Sequence, residues 1–373
     1  MQNSKPRIVH LTSAHLRFDI RIFIKICTSL ANNGFDVSLV VADGYGNENK
    51  NNVSIYDVGP KTGGRISRFT KTVNLVFKKA IELNADIYHL HDPELIFIGL
   101  KLKKLGKKII FDSHEDFPKQ LLSKHYLNKI IAILLSKFFT YFERWACKKF
   151  DAVVTVTQQI GDKFSKINSN TVVINNFPLL DELVNSNNWN SKKSEIAYVG
   201  AIEKIRGIEQ VLEALDYSNN VKLNLAGMFS DKSFEEKIKN NHLSTKVNFF
   251  NQLDRKGVTN LLAKSQAGIV TLLPVPNYVN AQPTKMFEYM SAGLPVIASD
   301  FPLWREVIER NQCGICVNPL DPEAIGKAFQ YIINNPAAAE KMGKNGRRAI
   351  EERYNWSIEE VKLIALYKSL LKA

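Results

Sequence analysis

The chain has few cysteines for its 373 residues, and they form no recognisable disulfide or metal pattern. Cys27 and Cys147 stand alone, and Cys313 and Cys316 form a single CxxC motif. Because a structural zinc site of this type needs a second such pair, we predict no metal site and place the cysteines in the core or in strands. Scarce cysteines also favour a reducing compartment, the cytoplasm.

Long apolar segments are missing as well. The first residues, MQNSKPRIVHL, lead directly into a predicted strand without an apolar leader, so no secretion signal is expected. A content of 45% hydrophobic and 23% charged residues is typical of a globular protein. A chain of 373 residues exceeds one ordinary core and predicts two domains.

Acidic residues are in deficit, since 37 Asp and Glu stand against 50 Lys and Arg, a net charge of +13. Residues 1–182 contain 26 Lys and Arg against 17 Asp and Glu, so the first half carries most of the excess. Positive charge is densest in residues 117–150, where Glu143 is the one acidic residue. The basic residues of this segment are Lys119, Lys124, Lys129, Lys137, Arg144, Lys148 and Lys149.

Apolar and aromatic residues alternate with these cations, but the longest uncharged stretch, Ile130–Ser136, is too short to span a bilayer. Such a helical segment suits the surface of an anionic membrane. A core helix with a solvated basic edge explains the pattern equally well. Nucleic acid is a third interpretation that no motif supports, so we predict no nucleic-acid partner.

Short apolar runs alternate with helical patterns along the whole chain, which predicts an α/β protein with doubly wound parallel sheets. The predicted strands are 7–11, 37–42, 86–91, 108–114, 152–157, 171–176, 195–200, 221–227, 246–251, 267–273, 295–299 and 314–318. The polar stretch 181–194 predicts a linker between two Rossmann-like domains. We therefore expect domains at 1–180 and 195–354, followed by a C-terminal helical segment at 355–373.

The stretch PTKMFEYMSAGLPVIASD, residues 283–300, is the most informative in the chain. Lys285 and Glu288 lie three residues apart and share one face of a helix. Gly293 is placed to end that helix, and PVIAS then predicts an interior strand. A helix start with a cation, free N–H groups and a carboxylate suits a phosphorylated ligand that bears hydroxyls, such as a nucleotide sugar.

Other polar residues follow the predicted strands, where ligands bind in open α/β sheets. In the first half these are His15, Asp19, His91, His114, Glu115 and Asp116; in the second half Arg206 follows the YVG strand.

Together these positions resemble the retaining glycosyltransferases of family 4, whose GT-B fold has two Rossmann-like domains that face a cleft. The resemblance rests on HLTSAHLRFDIRIFIK (10–25), LHDPELIFIG (90–99), FDSHEDFP (111–118), INNFP (174–178) and the 283–300 block. It is strongest toward bacterial enzymes that build O-antigen, capsule or exopolysaccharide. It implies a nucleotide-sugar donor on the C-terminal domain, an acceptor on the N-terminal domain, transfer with retention of configuration, and no obligatory metal or cofactor.

The resemblance also implies roles for single residues. Glu288 matches the glutamate that binds the ribose hydroxyls, and Asn280 stands where the family usually has a second glutamate. Arg206 occupies the place of a phosphate-binding lysine, and Ala201 that of an arginine. Arg grips phosphate oxygens through two bonds, so the exchange is chemically sound.

The resemblance implies the remaining roles from the position of each residue after a predicted strand or at a helix start. Backbone N–H groups of Thr284 and Lys285 are expected near the diphosphate, and loops at Gly227 and Leu253 near the base. His91 is expected at the reacting centre, and Asp19 is the candidate base for the acceptor hydroxyl. The acceptor side is completed by His15, His114, Glu115 and Asp116. The C-terminal helix is expected to cross back to the first domain.

The leading hypothesis is therefore a glycosyltransferase that acts on a lipid-linked saccharide at the cytoplasmic face of the membrane. A nucleotide-sugar epimerase of the same fold and a non-catalytic protein that binds membrane surfaces remain alternatives.

Overall fold

The computed structural model describes residues 5–61, 68–122, 128–183, 189–276 and 278–372. The chain divides into two compact units. The first comprises Met1–Asn176 together with Ser357–Ala373, and the second comprises Phe177–Trp356. The C-terminal segment thus belongs to the first unit, although it follows the second in sequence.

The first unit contains an 8-stranded sheet in the order β3-β4-β2-β1-β5-β6-β7-β8. Its strands are β1 (Arg7–Leu11), β2 (Asp36–Val41), β3 (Glu48–Lys50), β4 (Val53–Asp57), β5 (Ile87–Leu90), β6 (Lys108–Ser113), β7 (Ala152–Thr155) and β8 (Thr171–Val173). All neighbours pair in parallel except β3 and β4, which form an antiparallel edge.

Helices connect these strands. They are Ile20–Cys27, which is a π-helix, Thr28–Asn32, the π-helical Arg68–Thr72, Val73–Leu83, the 3-10 turn Pro93–Leu95, Ile96–Lys104, Phe117–Leu122, Lys129–Cys147, Gln158–Ser165 and the C-terminal Trp356–Lys372. The C-terminal helix is tied to the unit by hydrogen bonds, since Asn175 N donates to Glu359 at 2.9 Å and Tyr367 Oη lies 2.6 Å from His89 Nδ1.

The second unit contains a 6-stranded, fully parallel sheet in the order β11-β10-β9-β12-β13-β14. Its strands are β9 (Glu195–Val199), β10 (Lys222–Ala226), β11 (Val247–Phe250), β12 (Ala267–Val270), β13 (Val296–Ser299) and β14 (Gly314–Val317). Its α-helices are Ile208–Glu213, Lys232–Lys239, Arg255–Lys264, Thr284–Ser291, Pro302–Asn311, Pro322–Asn334 and Pro336–Glu352, and its 3-10 turns are Trp189–Ser191, Lys204–Arg206, Ala214–Tyr217 and His242–Lys246.

Both sheets reverse their strand order at one point, between β1 and β5 and between β9 and β12. In doubly wound sheets this switch point opens a crevice at the carboxyl ends of the two strands, and ligands bind there. The prediction of two parallel-sheet α/β domains is thereby confirmed, and each predicted strand is present with bounds that agree to within three residues.

The strands β3 and β4 have no counterpart among the predicted strands. Glu48–Lys50 is exposed along its length, and Val53–Asp57 is a short run with alternating polar residues. Neither has the continuous apolar pattern of a buried parallel strand. Within the predicted linker 181–194, residues 184–188 lie outside the described part, whereas Leu183 and Trp189 are buried in the second unit. The first residue of that unit is Phe177.

Candidate functional sites in the two units

In the first unit, polar residues collect at the carboxyl ends of β1, β5 and β6. His15 follows β1, His91 and Asp92 follow β5, and His114 follows β6. Since β1 and β5 flank the switch point, the topology brings the histidines predicted from sequence to one place.

His91 lies at the centre of this group with no exposed side-chain surface. Its Nε2 is 2.9 Å from His10 Nδ1, and its Nδ1 is 3.3 Å from His114 Nε2 and 3.4 Å from Asp112 Oδ2. Burial lowers the pKa of His91 to about 4, although the adjacent Asp112 carboxylate opposes the shift. Both ring nitrogens therefore face other residues of this unit, and the ring is neutral at neutral pH. The contact of His91 with substrate stays a prediction.

Asp112 organises the cluster, although it was not among the predicted site residues. Its carboxylate accepts two hydrogen bonds from the Arg21 guanidinium, at 2.9 and 3.0 Å, and lies 3.0 Å from His114 Nε2. Burial by itself raises the pKa of a carboxyl, but the Arg21 and His114 side chains hold the pKa of Asp112 well below its usual range. A charged residue inside the apolar run KIIFDS was the available signal, because buried charges require partners.

His15 is held by two carboxylates. Its Nδ1 is 3.2 Å from Asp19 Oδ2, and its Nε2 is 3.4 Å from Asp92 Oδ1. Burial lowers the pKa of His15, but these carboxylates outweigh that effect and raise it overall.

Asp19 caps a helix. Its Oδ1 accepts hydrogen bonds from the backbone N–H groups of Arg21 and Ile22, both at 2.9 Å, and so caps the helix Ile20–Cys27. Although burial opposes it, the hydrogen bond from His15 lowers the pKa of Asp19 below its usual value. A carboxylate with a depressed pKa is a poor proton acceptor at neutral pH, so this geometry favours positioning of His15 over the predicted role as base.

Asp92 fixes the loop that follows β1. It accepts hydrogen bonds from Thr12 Oγ1 at 2.8 Å and from Ser13 N at 2.7 Å. Ser13 Oγ donates in turn to Glu94 at 2.9 Å. The loop carrying His15 is therefore anchored to the residues that follow β5.

The predicted cluster of His114, Glu115 and Asp116 is divided. His114 joins Asp112, but Asp116 pairs with Lys119 and Lys163, each at 3.1 Å. Glu115 accepts a hydrogen bond from the Gln120 side chain. Among these three residues, the structure brings only His114 to the histidine cluster, because the chain turns into the helix Phe117–Leu122 directly afterwards.

Two groups in this cluster have the spacing of metal ligands: His10 with His89 and His91, and His91 with Asp112 and His114. In the second group both Asp112 oxygens already accept hydrogen bonds from Arg21. A guanidinium at that carboxylate disfavours an additional cation, so this group is a poor fit for a metal.

In the second unit, the backbone itself shapes the carboxyl edge at the switch point. Gly200 follows β9 with φ 138°, and Gly227 follows β10 with φ 151°. A Cβ on Gly227 would lie 1.9 Å from the Gly200 carbonyl oxygen. These two turns therefore need glycine, and they leave backbone close to whatever binds above the strand ends.

Two cations share this edge. Lys285 Nζ lies 5.4 Å from the centroid of the Tyr198 ring and covers Gly200, where a Cβ would be 2.3 Å from Nζ. Burial, and next the nearby Arg206 cation, lowers the pKa of Lys285 to about 8. Arg206 pairs with Glu203 at 3.1 Å, whereas Lys285 has no ion pair among the described residues. Two neighbouring cations with one ion-paired carboxylate among the described residues favour the binding of an anion.

Glu288 lies on the helix Thr284–Ser291, one turn after Lys285, with 19% of its side chain exposed. Its Oε1 is 2.8 Å from an Arg255 terminal nitrogen, and Arg255 Nε is also 2.5 Å from Glu182 Oε1. Arg255 was not among the predicted site residues. The only local signal was its place after β11, in the first turn of the helix that Asp254 caps.

The other predicted donor residues are near this helix or its neighbouring strand ends. Thr284 begins the helix and is exposed, and Pro283 at the N-cap position accepts no side-chain hydrogen bond from the first turn, so this helix start has no side-chain cap. Asn280 is exposed, and Leu253 packs half-buried against the core.

A third feature is the outer face of the helix Lys129–Cys147. We call it the helix stripe, and it consists of the exposed residues Ile130, Ile131, Ile133, Leu134, Lys137, Phe138, Tyr141, Arg144 and Trp145. The opposite face buries Ala132, Glu143, Ala146 and Cys147. Lys124 of the predicted basic segment lies outside the described residues. In the described part of the chain, no helix combines the length and the apolar character needed to span a membrane.

Comparisons with known proteins agree with this architecture. The model of Glycosyltransferase Family 4 matches residues 21–177, and that of Glycosyl transferases group 1 matches residues 181–349. An uncharacterized glycosyltransferase of Methanocaldococcus jannaschii is 21% identical over 386 residues, which cover 97% of this chain and 95% of that protein. The capsular polysaccharide biosynthesis glycosyltransferase CapM of Staphylococcus aureus is 22% identical over 193 residues, 48% of this chain and 46% of CapM.

Solved structures show the same fold. Sucrose-phosphate synthase from Thermosynechococcus elongatus superposes with a TM-score of 0.77 at 18% identity and covers 99% of this chain and 100% of its own. Anabaena HepE in complex with UDP-glucose superposes with a TM-score of 0.74 at 13% identity, over 97% of this chain and 99% of its own.

Proposed function

We propose that this chain, a glycosyltransferase of the GT-B type, transfers a hexosyl group from a nucleotide sugar to a saccharide acceptor with retention of configuration. The observation that carries the proposal is the convergence of Arg206, Lys285 and Glu288 at the carboxyl edge of the second sheet. Two cations suit a diphosphate, and the carboxylate suits the two ribose hydroxyls.

The donor is a nucleoside diphosphate sugar. Anabaena HepE, which shares the fold, was crystallised with UDP-glucose. In this chain the uncapped first turn of Thr284–Ser291 adds N–H donors and a positive dipole end to the charges of Arg206 and Lys285. Glu288 is held by Arg255, so its carboxylate is oriented before the ligand arrives.

Transfer replaces the bond between the anomeric carbon and the diphosphate oxygen by a bond to the acceptor hydroxyl oxygen. The hydroxyl attacks from the face that the diphosphate leaves, and its proton passes to the departing phosphate oxygen. Arg206 and Lys285 stabilise the negative charge that grows on the diphosphate. These side chains supply the positive charge of the site, so the proposal requires neither a metal nor a cofactor.

The first unit holds the acceptor in this proposal. His114 is fixed by Asp112 through Nε2, and 19% of its side chain is exposed, so its Nδ1 is the nitrogen that remains for an acceptor hydroxyl. His15 is the second accessible imidazole, with 31% of its side chain exposed. His91 then supports His114 from the interior and does not contact the sugar.

The acceptor is a lipid-linked saccharide of bacterial surface polysaccharide synthesis, and the protein works at the cytoplasmic face of the cell membrane as a peripheral protein. The support is the helix stripe, whose apolar and cationic side chains suit an anionic membrane surface. The relative CapM is by name an enzyme of capsular polysaccharide synthesis.

The donor site is tested by replacing Glu288 with Gln. The wild type is screened by thermal unfolding against UDP-, GDP-, ADP- and TDP-sugars, and the nucleotide sugar with the largest shift is used for titration. We expect Glu288→Gln to weaken its binding about tenfold or more, because a hydrogen bond to a charged group contributes about 1.5–3 kcal/mol.

Glu182→Gln is the matched control, since it removes the other carboxylate partner of Arg255 and leaves the proposed ribose contact in place. Equal losses in both variants would show that only the Arg255 ion pairs matter. If no nucleotide sugar stabilises the wild type, the donor assignment is wrong, and a non-catalytic protein becomes the better description. Conversion of the nucleotide sugar without an acceptor would identify an epimerase instead.

A further inference from the structure

We propose that the first unit has a pocket for the phosphate headgroup of an anionic phospholipid, at the C-terminal end of the helix Lys129–Cys147. The cavity has a volume of about 310 Å³ and is lined by Tyr141, Arg144, Trp145, Lys148, Lys166 and Ile167. This inference rests on the membrane part of the proposed function and is independent of the sugar-transfer chemistry.

The cavity is lined by three cations. Arg144, Lys148 and Lys166 line one cavity, and in the described part of the chain none of the three forms an ion pair. The carboxylate nearest in sequence, Glu143, is buried and pairs with Lys163 at 2.6 Å, so it is already engaged. Three exposed cations around one cavity favour an anion at that place, and a phosphate group offers oxygens that can accept hydrogen bonds from them.

The helix end explains only part of this arrangement. Cations near a helix C-terminus complement its negative dipole end, which accounts for Arg144 and Lys148. Lys166 comes from a different element, just after the helix Gln158–Ser165, and completes the cavity from the other side. The convergence of cations from two elements indicates a ligand shared between them.

The surroundings identify the anion as part of a lipid. Tyr141 and Trp145 line the cavity and also belong to the helix stripe, with exposures of 74% and 51%. The stripe continues along the same helix face through Phe138 and Leu134 to Ile130, at spacings of three and four residues. A soluble phosphate needs no such apolar surface, whereas a phospholipid headgroup lies beside acyl chains. Tyr and Trp are the residues that favour that boundary.

The location separates this pocket from the proposed acceptor site. The helix has 19 residues, a length of about 28 Å at 1.5 Å per residue. Its end at Cys147 precedes the start of β7, so the pocket lies at the amino edge of the sheet. His15, His91 and His114 lie at the carboxyl edge. The phospholipid is therefore an anchor, and the stripe extends from it toward the edge where the acceptor is proposed to bind.

The experiment compares two double variants of the full chain. Lys148→Gln with Lys166→Gln removes two charges from the pocket. Lys129→Gln with Lys137→Gln is the control, because it removes the same charge from exposed positions of the same helix outside the pocket. Binding is measured by co-sedimentation with vesicles of phosphatidylcholine mixed with phosphatidylglycerol and with vesicles of phosphatidylcholine alone. Thermal unfolding checks that each variant is folded.

We expect the wild type to bind the mixed vesicles and the pocket variant to lose about tenfold more affinity than the control. Equal losses would overturn the pocket and leave a diffuse electrostatic attraction. Absence of wild-type binding to mixed vesicles would overturn both the pocket and the membrane location. If free glycerol phosphate stabilises the wild type against thermal unfolding while the protein does not bind vesicles, the lipid assignment would be overturned. Nucleotide-sugar binding, measured without vesicles, tests the donor site separately.

Discussion

Lys285 is a partly buried cation that forms no ion pair among the described residues. Its side chain covers Gly200 and faces the Tyr198 ring, and its pKa is lowered to about 8. An unfolded lysine keeps its proton to about pH 10, so burial of the charged form costs stability below pH 8 and this cost is relieved as the pH rises. A residue that lowers stability at neutral pH suits a binding role better than a structural one.

The affinity for a nucleoside diphosphate should therefore depend on pH. Bound diphosphate favours the ammonium form, so we expect the affinity of the wild type to fall by up to about tenfold from one pH unit below 8 to one unit above. Lys285→Arg retains its charge over this range and should bind with little pH dependence. Titration calorimetry with the preferred nucleotide measures both, and a wild-type affinity that is constant across this range would exclude Lys285 from the phosphate site.

At the scale of the element, the short turn Lys204–Arg206 is positioned by the glycine that ends it. Gly207 has φ 72°, and a Cβ at this position would lie 2.1 Å from the Thr271 carbonyl oxygen. Thr271 directly follows β12, one of the two strands at the switch point. The close approach of these two backbone segments thus holds Arg206 beside the proposed anion site.

Gly207→Ala should destabilise the second unit and weaken nucleotide binding together. The control is Gly293→Ala in the same unit, where φ is 68° but no atom lies within 4 Å of the added Cβ. We expect Gly293→Ala to cost only the backbone strain of about 1–2 kcal/mol, and Gly207→Ala to cost more because backbone must also move. Urea unfolding and nucleotide titration measure the two effects. An equal loss of unfolding free energy in the two variants would mean that the backbone at Thr271 moves aside without a measurable energetic cost.

At the scale of the whole molecule, the last helix completes the first unit. Tyr367 on this helix lies 2.6 Å from His89 Nδ1, and both residues are fully buried. The other ring nitrogen of His89 has no hydrogen-bond partner among the described residues. The first sheet therefore depends on residues that are synthesised after the entire second unit.

Tyr367→Phe should lower the free energy of unfolding of the first unit by about 1–3 kcal/mol, because it leaves a buried imidazole nitrogen unpaired. Tyr331→Phe, at a position that is 45% exposed in the second unit, is the control and should have little effect. The stabilisation by nucleotide, which we assign to the second unit, should persist in Tyr367→Phe. A cost below that of the control variant would show that the Tyr367 hydroxyl is not needed.

Much of the architecture could be predicted from sequence, because buried parallel strands consist of continuous apolar runs that local patterns reveal. The strands β3 and β4 were missed, because the exposed edge strand β3 and the short alternating strand β4 next to it have no such run. For the donor site, Lys285 and Glu288 were predicted as neighbours because their spacing along one helix sets their distance. Arg255, which holds Glu288, lies 33 positions away and has no local signal.

The sequence by itself determined the two α/β units, the helix that carries Lys285 and Glu288, and the basic, aromatic composition of 117–150. These features depend on local periodicity and on residue type. Only the tertiary structure decided that Asp112 and Arg21 organise the histidines, that Asp116 pairs with Lys163 and leaves that group, and that Lys166 joins Arg144 and Lys148 around one cavity. These contacts form between distant parts of the chain, and the order of the strands, which no local pattern specifies, brings them together.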